Sequence, residues 1–167
     1  TLATVGVQNM LQTAYDMGFK TLEPTRENLS KFGLAVTLGG AEVHLIDSVT
    51  AYSTFANSGT TVEPVAIKEV KDSKGNVLYQ HRDVPGKRVL SKEEAFLINS
   101  ILSDNQARSG AFGLNSQLNV GGRPIAVKTG TTNDQKDNWT IGWSRSTIVG
   151  VWVGNNDNTS MTQVASG

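Results

Sequence analysis

Residues 122–134 read GRPIAVKTGTTND and decide how this 167-residue chain is interpreted. The apolar run ends in Lys128, Thr129, Gly130 and Thr131, which together supply a cation, two hydroxyl groups and a glycine that a ligand can approach closely. Lysine and hydroxyl donors suit a ligand that carries a carboxylate. The segment therefore predicts either a strand whose end binds such a ligand or an ordinary strand that closes in a polar turn.

Two more runs rich in β-forming residues follow in the last third of the chain. The three runs cover residues 124–129, 139–143 and 147–153, and the turn Ser144-Arg145-Ser146 separates the last two. They predict three consecutive antiparallel strands. Because helical patterns come first and this meander comes last, we expect an α+β fold whose sheet is covered by helices on at least one face.

Three helices are predicted before the sheet. Apolar residues recur at intervals of three and four over residues 5–17 and 45–57, and a glycine follows each pattern. The third helix is expected to begin after Ser91, which forms a capping-box signature with Glu94.

Three connecting segments have weaker patterns. Residues 34–38 form an apolar run that predicts a short strand or a buried loop. Residues 65–79 predict a surface hairpin around the turn Ser73-Lys74-Gly75-Asn76. Residues 107–122 contain glycines among serines and asparagines, which predicts a long loop.

The composition argues against several classes of function. The 15 lysines and arginines balance the 15 aspartates and glutamates, so no net positive field attracts nucleic acid or an anionic membrane. No stretch approaches the roughly 18–20 apolar residues that a membrane helix needs. The chain has no cysteine, and His44 and His81 stand outside any carboxylate cluster. We therefore expect no metal, no cofactor and no nucleic-acid partner.

The lysine segment and its surroundings resemble the transpeptidase domain of class A penicillin-binding proteins. In this group of enzymes S-x-x-K, S-x-N and K-T-G motifs meet in one cleft. The resemblance covers essentially the whole chain, and its motif residues lie at 38–43, 51–59, 122–124, 128–134, 139–142 and 151–154. It implies an α+β fold like that of penicillin-binding proteins and serine β-lactamases, an antiparallel sheet with helices, in which the K-T-G strand borders the cleft.

The resemblance also implies roles for residues at matching positions. Lys128 would hold positive potential beside the reactive serine and attract the terminal carboxylate of a peptidoglycan stem peptide. Thr129 and Thr131 would donate hydrogen bonds to that carboxylate, the Thr131 N–H would form half of the oxyanion hole, and Gly130 would leave room for the ligand. Thr132 would complete this substrate-binding segment, which pairs with the substrate as an added antiparallel strand. The implied reaction is serine acyl transfer that cross-links stem peptides, and β-lactams would mimic the substrate.

The reactive serine has no match in this chain, since no serine is followed by a lysine three residues later. The literal Ser103-Asp104-Asn105 is interpreted as a polar cluster at a helix end, because the family places its S-x-N motif far upstream. Residues 1–3 resemble sequence just after that motif, and residues 161–167 stop before the family's final helix. We therefore expect residues 1–167 to form part of one transpeptidase domain, incomplete at both ends. Alone it is expected to be inactive, with the missing N-terminal part of the domain as its partner.

The resemblance implies a bacterial cell-envelope location outside the cytoplasm, in a parent protein anchored to the cytoplasmic membrane, with no membrane contact by this segment. Two alternatives remain open. A serine β-lactamase shares K-T-G but hydrolyses its acyl-enzyme, although residues 132–134 and 151–154 favour a transpeptidase. The absent nucleophile also leaves a non-catalytic module that binds peptide or a partner protein through the K-T-G edge.

Overall fold

A computed structural model describes residues 2–162, and within them six α-helices precede or interleave with five strands. The helices are α1 Leu2–Val5, α2 Val7–Met17, α3 Arg26–Lys31, α4 Leu45–Ala56, α5 Lys92–Ser103 and α6 Asn105–Phe112. The strands are β1 Glu69–Lys71, β2 Val77–Gln80, β3 Ala126–Thr131, β4 Asp137–Trp143 and β5 Ile148–Gly154. Short 3-10 helices occupy Lys20–Leu22, Leu34–Leu38 and Asn133–Gln135. The expectation about a final helix falls mainly on residues 163–167, which lie outside the described residues.

The three strands β3, β4 and β5 form the predicted antiparallel meander, in that spatial order. Lys128 pairs with Ile141, and Trp139 pairs with Trp152. The turn between β4 and β5 closes through Ser144, whose N–H donates to the Thr147 carbonyl at 2.8 Å. The order leaves β3 at an edge, so the prediction that the lysine segment is an edge strand is confirmed.

Helices cover one face of this sheet, as expected for the α+β class. Ala126, Ile141 and Trp143 are buried there. The Trp143 ring lies 5.3 Å from the ring of Tyr52 and 6.0 Å from that of Phe55, both on α4. These edge-to-face and stacked arrangements are favourable for aromatic pairs. The helix layer therefore fixes the end of the sheet opposite the β3–β4 turn.

A glycine in β5 allows α4 to approach the sheet closely. A Cβ atom at Gly150 would lie 2.5 Å from Val49 Cγ2 and 3.1 Å from Leu45 Cδ1. The first distance is shorter than packed carbon atoms allow, and the second is tighter than most such contacts. On the opposite face, Val149, Val151 and Val153 are each about half exposed in the described structure.

The N-terminal helix and the third helix follow their sequence signals. The helix predicted over residues 5–17 is α2, which Gly6, with φ 85°, separates from α1. Gly18 ends α2 with its N–H bonded to the Ala14 carbonyl. Ser91 and Glu94 form a complete capping box at the start of α5. Both helix predictions are confirmed, with ends that differ by no more than two residues.

The prediction for Leu34–Leu38 is wrong, because this segment forms a 3-10 helix rather than a strand or a buried loop. Leu34 and Leu38 are exposed, and only Val36 of this segment is buried. A short apolar run does not reveal by itself which backbone conformation it adopts. Here Gly39, at φ 87° in the left-handed region, ends the turn.

The expected loop over residues 107–122 is also partly wrong, since α6 extends from Asn105 to Phe112. The Asp104 carboxylate accepts hydrogen bonds from the N–H groups of Gln106 and Ala107 and so caps this helix. The literal Ser103-Asp104-Asn105 thus lies at the junction of α5 and α6. Its interpretation as a helix-end cluster is confirmed.

The surface hairpin is present as β1 and β2, with Val70 opposite Tyr79. Asp72 stabilises its turn, because one carboxylate oxygen accepts hydrogen bonds from the N–H groups of Lys74 and Asn76. Gly75 adopts φ 85°, as the sequence predicts for this turn.

Candidate active site

The backbone of β3 presents hydrogen-bonding groups on the side away from β4, which we call the outer edge of β3. The Thr132 N–H donates to the Asp137 carbonyl at 3.1 Å, so the backbone of Thr132 is directed toward β4. Antiparallel pairs alternate along a strand, and the backbone groups of Thr129 and Thr131 are therefore directed away from β4. Within residues 2–162 no strand pairs with this edge.

Lys128 is exposed and places its ammonium group at the outer edge of β3. Its side chain starts on the helix-covered face, the face of Ala126, and Nζ reaches back to the Thr129 carbonyl oxygen. Within the described residues the ion pairs lie elsewhere, so no carboxylate there neutralises Lys128. A positive charge beside free backbone donors is suited to a peptide carboxylate.

Thr129 and Thr131 lie on the opposite face of the strand from Lys128, since side chains alternate along β3. Thr131 is exposed and Thr129 is half-buried. Their outward backbone groups lie on the same short stretch of edge as the Lys128 ammonium group. The structure therefore brings together three of the residues that the sequence singled out.

Gly130 has no packing reason to be a glycine within the described structure. A Cβ atom added there would meet Trp139 Cβ at 3.8 Å, an ordinary contact distance. Its φ is also not in the left-handed region that favours glycine. A close approach by something outside the described residues would explain a glycine at this position.

The Thr132 hydroxyl, expected to face the substrate, is engaged inside the β3–β4 turn. It accepts a hydrogen bond from the Asp137 N–H at 2.8 Å and lies 3.5 Å from Asp137 Oδ2. The other carboxylate oxygen, Oδ1, accepts a 2.7 Å hydrogen bond from Trp152 Nε1. Thr132 therefore contacts the turn in this structure, and a direct role in substrate binding stays a prediction.

Arg108 secures the other end of β3 and was not recognised from the sequence. Its guanidinium donates to the carbonyl oxygens of Leu102, Ser103 and Ile125, each at 3.4 Å. It borders a cavity of about 180 Å³ that is also lined by Lys128 and Thr129. The sequence offers one hint of this role, since Arg108 lies one helical turn after Asp104, the residue that caps α6. The bond to Ile125 joins residues 17 positions apart and could not be predicted from the local pattern.

Other features considered in the sequence contribute little to this site. The Ser103 hydroxyl donates to the Ser100 carbonyl at 3.3 Å within its own helix, so it is not arranged as a second motif of the cleft. No group of three or more His, Cys, Asp or Glu side chains in residues 2–162 is arranged to hold a metal ion. In the same residues no helix has both the length and the apolar character required to cross a membrane.

Sequence comparison relates the chain to known proteins. It matches the family model described as penicillin binding protein transpeptidase domain over residues 5–165. It is 32% identical over 171 residues to penicillin-binding protein 1A of Aquifex aeolicus, covering 99% of the chain and 21% of that protein. It is 30% identical over 154 residues to penicillin-binding protein 1B of Haemophilus influenzae, covering 92% of the chain and 19% of that protein. The chain thus spans about a fifth of the length of these curated relatives.

Solved structures show the same relationship. The penicillin-binding protein PonA1 from Mycobacterium tuberculosis superposes with a TM-score of 0.76 at 25% identity, over 93% of this chain and 43% of that chain. The PonA1 structure in complex with penicillin V matches with a TM-score of 0.75 at 24% identity and the same coverage. The expected fold is confirmed, and the chain belongs to the transpeptidase-domain family of penicillin-binding proteins.

Proposed function

We propose that this chain is the substrate- and β-lactam-binding portion of a peptidoglycan D,D-transpeptidase. The observation that carries the proposal is the outer edge of β3, where the outward N–H groups of Thr129 and Thr131 lie beside the charge of Lys128, which no carboxylate in residues 2–162 neutralises. An extended peptide with a terminal carboxylate satisfies both features at once. It adds a strand to the sheet through main-chain hydrogen bonds, while the carboxylate approaches the cation.

Each residue at the edge has a role in this proposal. Lys128 supplies positive potential to the carboxylate and to the reacting groups. The hydroxyl groups of Thr129 and Thr131 bind the carboxylate, and Gly130 lets the substrate backbone approach. The Thr131 N–H, directed away from β4, donates to the oxyanion that forms on the acyl carbonyl. One such donor contributes about 3 kcal/mol to transition-state stabilisation.

The proposed reaction is acyl transfer through the serine of an S-x-x-K motif, and this sequence does not contain that motif. The serine Oγ attacks the penultimate D-alanine carbonyl of a stem peptide, and the terminal D-alanine leaves with a proton. An amine of a neighbouring stem then attacks the acyl-enzyme and releases the serine, which forms the cross-link. A segment with S-x-x-K and S-x-N, from the N-terminal part of the same domain, supplies the nucleophile and its base. Residues 1–167 are then one part of a single domain.

β-Lactams bind the same edge in this proposal, and acylate the same serine. The match to a PonA1 structure in complex with penicillin V supports this choice of ligand. The curated relatives named above are bacterial penicillin-binding proteins, which supports a cell-envelope location. We place the site outside the cytoplasm, where stem peptides are cross-linked.

A non-catalytic module that binds peptide through the outer edge of β3 is the second candidate function. The observation that favours it is the sequence itself, in which no serine has a lysine three residues later. Such a module would bind an extended peptide and leave it unchanged.

Covalent labelling separates these possibilities. The protein that carries this chain together with S-x-x-K and S-x-N segments is incubated with a fluorescent penicillin. A transpeptidase forms a long-lived adduct, a β-lactamase turns the drug over, and a binding module gives neither result. Lys128→Ala should slow labelling about 100-fold while the thermal unfolding midpoint stays unchanged, because a cleft lysine acts on reacting charge. Normal labelling together with a lowered midpoint would mean that Lys128 is structural.

A further inference from the structure

Asp137 is the first residue of β4 and connects all three strands at the end of the sheet that carries Thr131. Its backbone joins Thr132 at the end of β3, and its carboxylate joins Trp152 of β5. We propose that Asp137, held by Trp152, is a positioning residue that fixes the substrate-binding end of β3. This inference rests on the proposed function of the outer edge of β3, and it assigns a role to a residue that lies on β4.

The direction of the Thr131 N–H depends on the residues on either side of it. On one side is Gly130, which pairs with Trp139 but has no side chain to restrict its backbone. On the other side is Thr132, whose N–H and hydroxyl both bond to Asp137. These bonds come from the Asp137 backbone and persist in any Asp137 variant, so the carboxylate acts by holding that backbone in place through Trp152. Without this hold, the Asp137 backbone would shift and the peptide group of Thr131 would rotate away from the substrate.

The turn that leaves β3 requires such support. Asp134 and Gln135 both adopt positive φ, at 60° and 54°. The left-handed region is uncommon for residues other than glycine, and two successive residues there store strain. Two further contacts close the turn: the Gln135 N–H donates to the Thr132 carbonyl and the Met161 N–H donates to the Gln135 carbonyl. The Asp137 bonds to Thr132 keep this strain from displacing the end of β3.

Trp152 determines where the Asp137 carboxylate lies. Its indole N–H donates to Asp137 Oδ1 at 2.7 Å, which leaves Oδ2 facing the Thr132 hydroxyl at 3.5 Å. The indole reaches Asp137 by passing over Gly154, the residue paired with Asp137 across the sheet. A Cβ atom at Gly154 would lie 2.5 Å from Trp152 Cζ2 and 2.9 Å from the Lys136 carbonyl oxygen. The missing side chain at Gly154 therefore makes room for this contact.

Three substitutions distinguish the position of the Asp137 side chain from its negative charge. Asp137→Ala removes both carboxylate contacts. Asp137→Asn keeps an oxygen for Trp152 and places an amide opposite Thr132, so it should preserve the geometry. Trp152→Phe keeps the ring over Gly154 but removes the N–H donor. Asp134→Asn is the matched control, since it removes a negative charge from the same turn at an exposed position.

The test is saturation kinetics of acylation by a fluorescent penicillin, in the protein that carries this chain together with the S-x-x-K and S-x-N segments. Asp137→Ala should lower the first-order acylation constant by about tenfold or more, with the half-saturating concentration changed by less than about threefold, because a misdirected oxyanion donor affects the transition state most. Trp152→Phe should lower it by about threefold to tenfold. Asp137→Asn and Asp134→Asn should stay within about threefold of wild type.

Each other outcome counts against the proposal in a distinct way. Wild-type acylation in both Asp137→Ala and Trp152→Phe, with a lowered unfolding midpoint, would show that the contact only stabilises the fold. A loss in Asp137→Asn as large as in Asp137→Ala would show that charge matters and position does not. If the wild-type protein is not acylated at all, the proposed function itself fails, and this inference fails with it.

Discussion

Trp143 Nε1 donates a 2.7 Å hydrogen bond to Asn99 Oδ1, which ties the sheet to α5. The same amide donates from Nδ2 to the Phe55 carbonyl at 2.8 Å, at the end of α4. Trp143 is 3% exposed, so this hydrogen bond lies largely within the core. One asparagine side chain therefore satisfies polar groups on two other elements in the core that supports β3.

Replacing Asn99 by leucine should lower the free energy of unfolding by about 1–3 kcal/mol, because the Trp143 N–H loses its partner while the Phe55 carbonyl keeps its bond from the Ser58 N–H. Urea unfolding measures the change. The control is the double variant Asn99→Leu with Trp143→Phe, compared with the two single variants. A coupling energy near zero would show that the hydrogen bond contributes nothing specific.

Unlike the Asn99 amide, the buried Thr54 hydroxyl on α4 has no hydrogen-bond partner in the described residues. The residue is 0% exposed. Thr54→Val should raise the free energy of unfolding by about 1 kcal/mol, since it removes an unsatisfied polar atom at nearly constant volume. Thr54→Ser is the control, and loss of its methyl group should lower stability by about 1 kcal/mol. A destabilised valine variant would mean that the hydroxyl has a partner in solution.

The ion pair between Asp16 and Lys87 predicts a dependence of stability on pH. Lys87 Nζ donates to Asp16 Oδ1 at 2.9 Å, and this bond holds the pKa of Asp16 below its ordinary value of 3.8. A lowered pKa contributes stability above the unfolded value, and that stability is lost as the pH falls through the folded value. Lys87→Met should therefore cost less than about 1 kcal/mol near neutral pH, because Lys87 is exposed and Asp16 is only partly buried.

The difference in unfolding free energy between wild type and Lys87→Met should shrink as the pH is lowered below 3.8. Lys87→Arg keeps a donor and serves as the control. A difference that stays constant through this range would show that Lys87 stabilises the protein without acting on Asp16.

Gly130→Ala should leave stability within about 0.5 kcal/mol of wild type, because the added methyl group makes only an ordinary contact with Trp139. Acylation by penicillin should fall about tenfold or more, since that methyl group projects from the segment that the substrate approaches. Gly33→Ala is the matched control, since a Cβ at Gly33 meets nothing within 4 Å, and it should change neither property. Unchanged acylation in Gly130→Ala would contradict a substrate path along this strand.

Much of the fold near the site was predictable because its signals are local. The β-branched run before Lys128, the serine turn after Trp143 and the Ser91 capping box each depend on neighbours within a few residues. The error at residues 34–38 has a local cause too, since an apolar run of this length fits several backbone conformations. In α6, Gly110 and the surrounding polar residues suggested a loop, and the Asp104 cap overcame that preference.

The support of the site could not be predicted in the same way. No local pattern in the sequence connects Asp137 with Trp152. Their hydrogen bond joins residues 15 positions apart on different strands. Such a contact depends on the register of the sheet, which only the folded structure gives.

The most direct test of the central claim is a mass measurement of penicillin adducts on this chain, with and without a polypeptide that carries the S-x-x-K and S-x-N segments. We expect no adduct on the chain alone, because oxyanion donors stabilise charge only after a nucleophile attacks and an unassisted serine hydroxyl is a weak nucleophile. With the second polypeptide, one adduct should form, on the serine of its S-x-x-K segment. A stoichiometric adduct on the chain alone, mapped to one of its own serines, would contradict the account.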